Sequence, residues 1–126
     1  MQECVVTARR LYQEWMNDEN ANNIPKNFRS FVYCTAVKYG TRYEWNFALN
    51  QYKKEVDSNS KKELQYGMSC SKEPWLINNY LNNQLDQNIT RKQDGAAGII
   101  YSLFNPYSNL IAWNFVKNNW NELVKR

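Results

Sequence analysis

Three cysteines, Cys4, Cys34 and Cys70, are the residues of this chain best suited to covalent or metal chemistry, and no histidine stands anywhere to assist them. A Cys-His nucleophile therefore has no base, a Ser-His-Asp relay cannot be assembled, and every zinc site with a His ligand is excluded. The cysteines also lack the close CxxC pairing of a zinc ribbon or a redox dithiol, so they do not read as metal ligands. Two can bridge, leaving one over. Cys34 and Cys70 have 35 residues between them. As free thiols they are small core residues; as a bridge they close a loop worth roughly 3 to 4 kcal/mol in the chain-entropy model. Adjacent carboxylates such as Asp18 and Glu19 lie in polar, helix-terminal surroundings that leave them ordinary acids, and Gly40, Gly67, Gly95 and Gly98 form no phosphate loop. These patterns supply no catalytic residue and no metal ligand.

Two further patterns carry chemistry of another kind. Asn88-Ile89-Thr90 is an N-glycosylation sequon in a predicted turn, the exposed setting that modification needs. Arg91-Lys92-Gln93-Asp94 places two cations and an anion at a helix start, where cations oppose the helix dipole. One reading is an ion-pair cluster that holds neighbouring hairpins. The other is a positive contribution to a surface that meets a peptide carboxylate or another domain.

The elements that must position these residues are helices. A length of 126 residues gives one domain with an ordinary core, and an aromatic fraction of 15% is too rich in large rings for a disordered chain. The net charge of +4 is scattered from Arg9 to Arg126 with no run longer than a pair, so no nucleic-acid partner is expected. No stretch approaches the roughly 18 apolar residues of a membrane span, so no membrane contact is expected of this segment, and the opening residues, with Glu3, do not read as a signal peptide.

Apolar spacing predicts seven helices and no strand. The first carries Val5, Ala8, Tyr12, Trp15 and Met16; the second runs from about Asn27 to Tyr39 with Phe28, Phe31, Val32, Thr35 and Tyr39 inward and Gly40 as its stop. Thr41 to Glu44 forms a capping box for the third, whose stripe is Trp45, Ala48, Leu49, Tyr52 and Val56, and Ser60 to Glu63 repeats the device for a fourth that ends near Cys70. Pro74 opens a fifth through Leu85 with Ile77, Tyr80, Leu81 and Leu85 on its apolar face. A sixth spans about Arg91 to Phe104 with Ala97, Ile100, Tyr101 and Phe104 inward, weakened at Gly95 and Gly98 unless close packing uses them. The seventh runs from about Ser108 to Val124 with Ala112, Phe115, Val116 and Leu123, widened by Trp113 and Trp120. Short loops between such helices favour antiparallel hairpins. Trp-Asn-Phe recurs at 45–47 and 113–115, an offset of 68, twice the 34 typical of hairpin repeats. The expected fold is all-α, with hairpins stacked as a segment of α-solenoid (armadillo/HEAT-like) over residues 1–126.

Several runs together carry a family resemblance: Ile24 to Arg29, Val32-Tyr33-Cys34, Glu44-Trp45-Asn46-Phe47-Ala48, Ser69-Cys70-Ser71-Lys72-Glu73-Pro74-Trp75-Leu76, Arg91-Lys92-Gln93-Asp94, Ala112 to Val116, and Asn119-Trp120. In order and spacing they resemble the C-terminal helical domain of the M1 zinc aminopeptidases, aminopeptidase N-like members above all. In place of the Ala, Ser and Thr frequent in relatives, Gly95-Ala96-Ala97-Gly98 follows the Arg-Lys-Gln-Asp run.

The resemblance implies a bowl of helical hairpins leaning over a separate catalytic domain of the same polypeptide and enclosing the peptide substrate. It pairs Cys34 with Cys70 and leaves Cys4 as half of a bridge whose other half precedes Met1. It implies further hairpins beyond Arg126, an extracellular or lumenal location in a membrane-anchored or secreted parent, and a homodimer as one option for that parent. Zinc belongs to the parent's catalytic domain, because the GAMEN and HExxH elements are not in this sequence. The contrasting reading is an independent helical-repeat module that binds a partner protein or peptide in an aromatic-lined groove.

Overall fold

The computed structural model describes residues 2–125, and every regular element among them is helical. The helices are α1 (Gln2–Asn17), α2 (Arg29–Tyr39), α3 (Arg42–Lys54), α4 (Ser58–Met68), α5 (Pro74–Leu85), α6 (Lys92–Leu103), α7 (Asn109–Asn118) and α8 (Trp120–Val124), with a 3-10 turn at Lys26–Phe28 before α2. They form two compact units, one ending at Cys70 and the other starting at Ser71.

In the first unit α2 is the central element, packed against α1 on one side and α4 on another. Its buried set is Val32, Tyr33, Thr35, Ala36 and Val37, which wraps much of the helix, whereas Phe28, Phe31 and Tyr39 are exposed. The single stripe expected for α2 is thus corrected. A helix covered by two neighbours buries contiguous residues, here including Tyr33, and leaves Phe31 and Tyr39 on the remaining side. Tyr12, Trp15, Tyr33 and Phe47 form an aromatic cluster, with Trp15 and Tyr33 stacked at 5.2 Å and Tyr12 set edge-on to Trp15. Tyr12 donates its hydroxyl hydrogen to the Glu44 carbonyl at 2.7 Å, and the Trp15 indole donates to the Glu19 carbonyl at 3.2 Å.

The Thr41 capping box forms as expected: the Thr41 hydroxyl oxygen accepts from the Tyr43 amide at 3.3 Å, and Glu44 accepts from the Thr41 amide at 2.7 Å. Gly40 follows α2 in an extended conformation (φ −98°), so its role is spatial and not left-handed. A Cβ there would stand 2.6 Å from the Glu44 carboxylate oxygen that closes the box. The helix ends at Lys54, which leaves Val56 outside it and 91% exposed, against the expected stripe. Helix α4 also starts earlier than expected. Asp57, not Ser60, is its cap, accepting from both the Ser60 amide (2.9 Å) and the Ser60 hydroxyl (3.0 Å). Lys61 then reaches back to the Tyr52 carbonyl at 2.8 Å and lies 4.1 Å from the Tyr52 ring centroid, closing the end of α3.

In the second unit Pro74 sits in the first turn of α5, whose Leu76, Ile77, Tyr80, Leu81 and Gln84 are buried. The face of α6 differs from expectation: Asp94, Gly95, Gly98, Ile99 and Ser102 are buried, while Ile100 and Phe104 are exposed. The Tyr80 hydroxyl donates to the Gly98 carbonyl at 2.8 Å, a buried link between α5 and α6. The expected seventh helix is broken at Asn119, whose side-chain amide donates to the Phe115 carbonyl at 2.9 Å and competes with continuation of the backbone ladder. The repeated Trp-Asn-Phe occupies unlike surroundings: Trp45 is buried in α3, and Trp113 is 52% exposed on α7.

Candidate functional site

The cysteines are positioned by a close helix approach. Gly67 of α4 lies so near α2 that a Cβ on it would stand 2.7 Å from Tyr33 Cβ. That approach brings Cys34 within 5.2 Å of Cys70, Cα to Cα, and the two are joined by a disulfide. Cys4 is a free thiol on the exposed side of α1. It lies in the wall of an apolar hollow of about 390 Å³ with Ala8, Leu11, Pro25, Phe28 and Phe31. The hollow is not legible from the apolar stripe, which puts Phe28 and Phe31 in the core; their i, i+3 spacing signals that they share a face. A second hollow of about 310 Å³ is lined by Val5, Val6, Arg9, Tyr12, Gln13 and Glu44 among others.

Among the sequence-selected residues of the second unit, the structure brings Arg91 and Asp94 together. The Arg91 Nε donates to Asp94 Oδ2 at 2.7 Å, with the carboxylate largely buried in the first turn of α6 and the guanidinium half-exposed. The acid faces the positive end of the helix dipole and the cation is neutralised by it, which resolves the unfavourable placement of Arg91. Lys92 stays exposed beside this pair. Asn88 is exposed in the turn between α5 and α6, where its amide donates to Asp86 Oδ1 at 2.9 Å.

The titratable groups with shifted pKa values owe them to burial or to a helix cap. Burial pushes the Tyr12 phenol well above its ordinary value, with Tyr33 and the Glu44 carboxylate adding to the effect, and burial raises Tyr33 against the Asn22 hydrogen bond. Burial likewise raises Glu63, opposed by Arg29 and reinforced by Asp57 and Glu55. The Ser60 amide and hydroxyl lower Asp57. The zinc implied by the family resemblance has no fitting donor set here: imidazole is absent, two thiols are consumed in a bridge, and among the described residues no cluster of three or more His, Cys, Asp or Glu side chains could hold a metal. Among the described residues no helix is long and apolar enough to cross a membrane.

A family described as the ERAP1-like C-terminal domain matches residues 1–126. Aminopeptidase N of Rattus norvegicus is 37% identical over 125 residues, 99% of this chain and 13% of the rat protein. Aminopeptidase N of Homo sapiens is 37% identical over 121 residues, 96% of this chain and 12% of its own length. Glutamyl aminopeptidase of Bos taurus is 34% identical over 120 residues, 94% of this chain and 12% of that protein. The chain thus spans about an eighth of the relatives it matches. Aligned with aminopeptidases along nearly all its length, and carrying the motifs that resemble M1 enzymes, it belongs to the ERAP1-like C-terminal domain family, the C-terminal domain of aminopeptidase N-like proteins.

Proposed function

We propose that this chain is a non-catalytic part of a zinc-dependent M1 aminopeptidase, one that encloses the substrate cavity over a catalytic domain of the same polypeptide and takes part in domain closure. The family match over residues 1–126 carries the reading, and the absence of His supports its non-catalytic half. In the parent, N-terminal residues are removed from peptides elsewhere in the polypeptide, and zinc is bound there.

The surface of the second unit supports a role as a packed wall. Phe104, Leu110, Trp113 and Trp120 are all more than half exposed, large apolar side chains that a covering domain would shield from water. The remaining polypeptide of the parent is the proposed cover, and hairpins stacked in the manner of an α-solenoid are the proposed packing within each unit. Lys92, beside the Arg91–Asp94 pair, is the charge offered to a peptide carboxylate or another domain. The Cys34–Cys70 bridge supports an extracellular or lumenal location, since such bonds persist in oxidising compartments.

The test is direct. The purified chain should hydrolyse no aminoacyl anilide, with or without added zinc, and turnover that follows the chain through successive columns would overturn the non-catalytic reading. For the full-length parent, binding of a non-hydrolysable peptide should shrink the radius of gyration in small-angle scattering. An unchanged radius would overturn the closure role.

A further inference from the structure

We infer that Asn88 carries an N-linked glycan, and that the glycan is attached before the turn joining α5 and α6 closes. Asn88-Ile89-Thr90 is the one sequon formed by the chain's 19 asparagines, and it falls in an exposed turn and not on a packed helix face. Glycosyl transfer needs the carboxamide and the hydroxyl two residues later presented together to the transferase. In the folded chain they are separated in kind: Asn88 is exposed, but Thr90 is only 2% exposed. The backbone is also committed, because the Asp86 carbonyl accepts from the Ile89 amide at 3.0 Å and the Thr90 amide at 2.9 Å, while Asp86 Oδ1 holds the Asn88 amide.

The folded turn can therefore display a glycan but cannot serve as the acceptor. The open chain can do so while Thr90 is still in solvent. In the transfer, the Asn88 Nδ2 attacks the anomeric carbon of a polyprenyl-pyrophosphate-linked oligosaccharide. The new N–C bond forms as the C–O bond to pyrophosphate breaks. The lipid pyrophosphate leaves with the electron pair, and the amide nitrogen loses one proton. Once Thr90 is buried, the exposed Asn88 side chain lets the sugar extend into water without repacking either helix.

The proposal rests on the extracytoplasmic reading above, and the disulfide map tells their failures apart. The full chain is expressed behind a secretory leader in eukaryotic cells, and its mobility is compared before and after peptide-N-glycosidase. A shift that the glycosidase removes is expected, lost in N88Q and T90V and kept in T90S. Because Asn88 is exposed, N88Q should melt with the deglycosylated parent chain, which keeps the result independent of misfolding. A secreted chain with bare Asn88 overturns the proposal; if Cys34 and Cys70 are bridged in that sample the compartment reading survives, and if they are free it falls as well. The order of events has its own arm. Bare, bridged chain made in bacteria is offered to membranes that hold the transferase and its lipid-linked donor, either folded or freshly diluted from urea and reductant. Modification of the unfolded sample alone is expected. Equal modification of the folded sample overturns attachment before closure.

Discussion

Replacing Gly67 by Ala tests the helix approach on which the first unit depends. In an exposed helix the substitution gains about 1 kcal/mol, because Ala gives up less backbone freedom than Gly. At this position the new methyl would stand 2.7 Å from Tyr33 Cβ and 3.3 Å from the Tyr33 carbonyl carbon. Carbon contacts settle at about 3.5 to 4 Å, so α4 must withdraw from α2 by most of an ångström or Tyr33 must move. Neither retreat is easy. The Tyr33 ring is stacked on Trp15 at 5.2 Å, and Cys34, the next residue, is bonded to Cys70 just beyond α4. Overpacking against rigid neighbours costs about 1 to 3 kcal/mol, and the blocking atoms here are a Cβ and a backbone carbon, which places the cost near the upper end. Subtracting the propensity gain leaves a net loss of about 2 kcal/mol. Urea unfolding followed by tryptophan fluorescence measures it directly, and the thermal midpoint should fall by roughly 5 to 15 °C. A midpoint that is unchanged or raised would refute the close approach. Repeating the substitution with Cys34 and Cys70 both changed to Ala should show a smaller loss, since the helices can then part; strict additivity would show that the bridge does not hold them.

Other perturbations probe separate features. Changing Cys34 and Cys70 to Ala releases a crosslink with a sequence separation of 36, which in the chain-entropy model costs about 4 kcal/mol, and a loss below about 1 kcal/mol by urea unfolding would show that the bridge does not constrain the unfolded chain. Tyr80→Phe removes the donor to the Gly98 carbonyl and should cost about 1 to 3 kcal/mol, whereas a neutral effect would mean that carbonyl is otherwise satisfied. Asp57 is a carboxylate with a lowered folded pKa, so its stabilisation is present above the ordinary value of 3.8 and is lost as pH falls through the folded pKa; D57A should therefore lower the melting temperature at neutral pH and leave it unchanged in strong acid. Glu63 has the opposite sign: its raised folded pKa makes stability fall as pH climbs from 4.5 through the folded value, so E63Q should match or exceed the parent chain at pH 7 and lose that advantage near pH 4, and the reverse order would refute the desolvation argument.

What could be read from the sequence was local chemistry. The Thr41–Glu44 box and the Pro74 start of α5 depend on groups within one helical turn, and each formed where its residues stand. The same local logic points to Ser60, which fits a cap pattern, although a better acceptor, Asp57, stands three residues earlier. Packing was harder to read, since it depends on how many neighbours a helix has. A stripe rule assumes one buried face, and α2, covered by α1 and α4, hides Val32, Tyr33 and Ala36 while turning Phe31 and Tyr39 outward. It also assumes that large apolar residues mark the inner face. In α6 the inner face is mostly small or polar, with Asp94, Gly95, Gly98 and Ser102 beside Ile99, and Ile100 and Phe104 are left to solvent. The candidate site divides along the same line. The lone sequon and the missing His are facts of composition, but which two of three cysteines meet on geometry alone depends on the passage of α4 across α2 at Gly67. A substitution that widens that passage should act on the bridge before it acts on any cap, because a cap is built within one turn and the bridge needs two helices to stay in place.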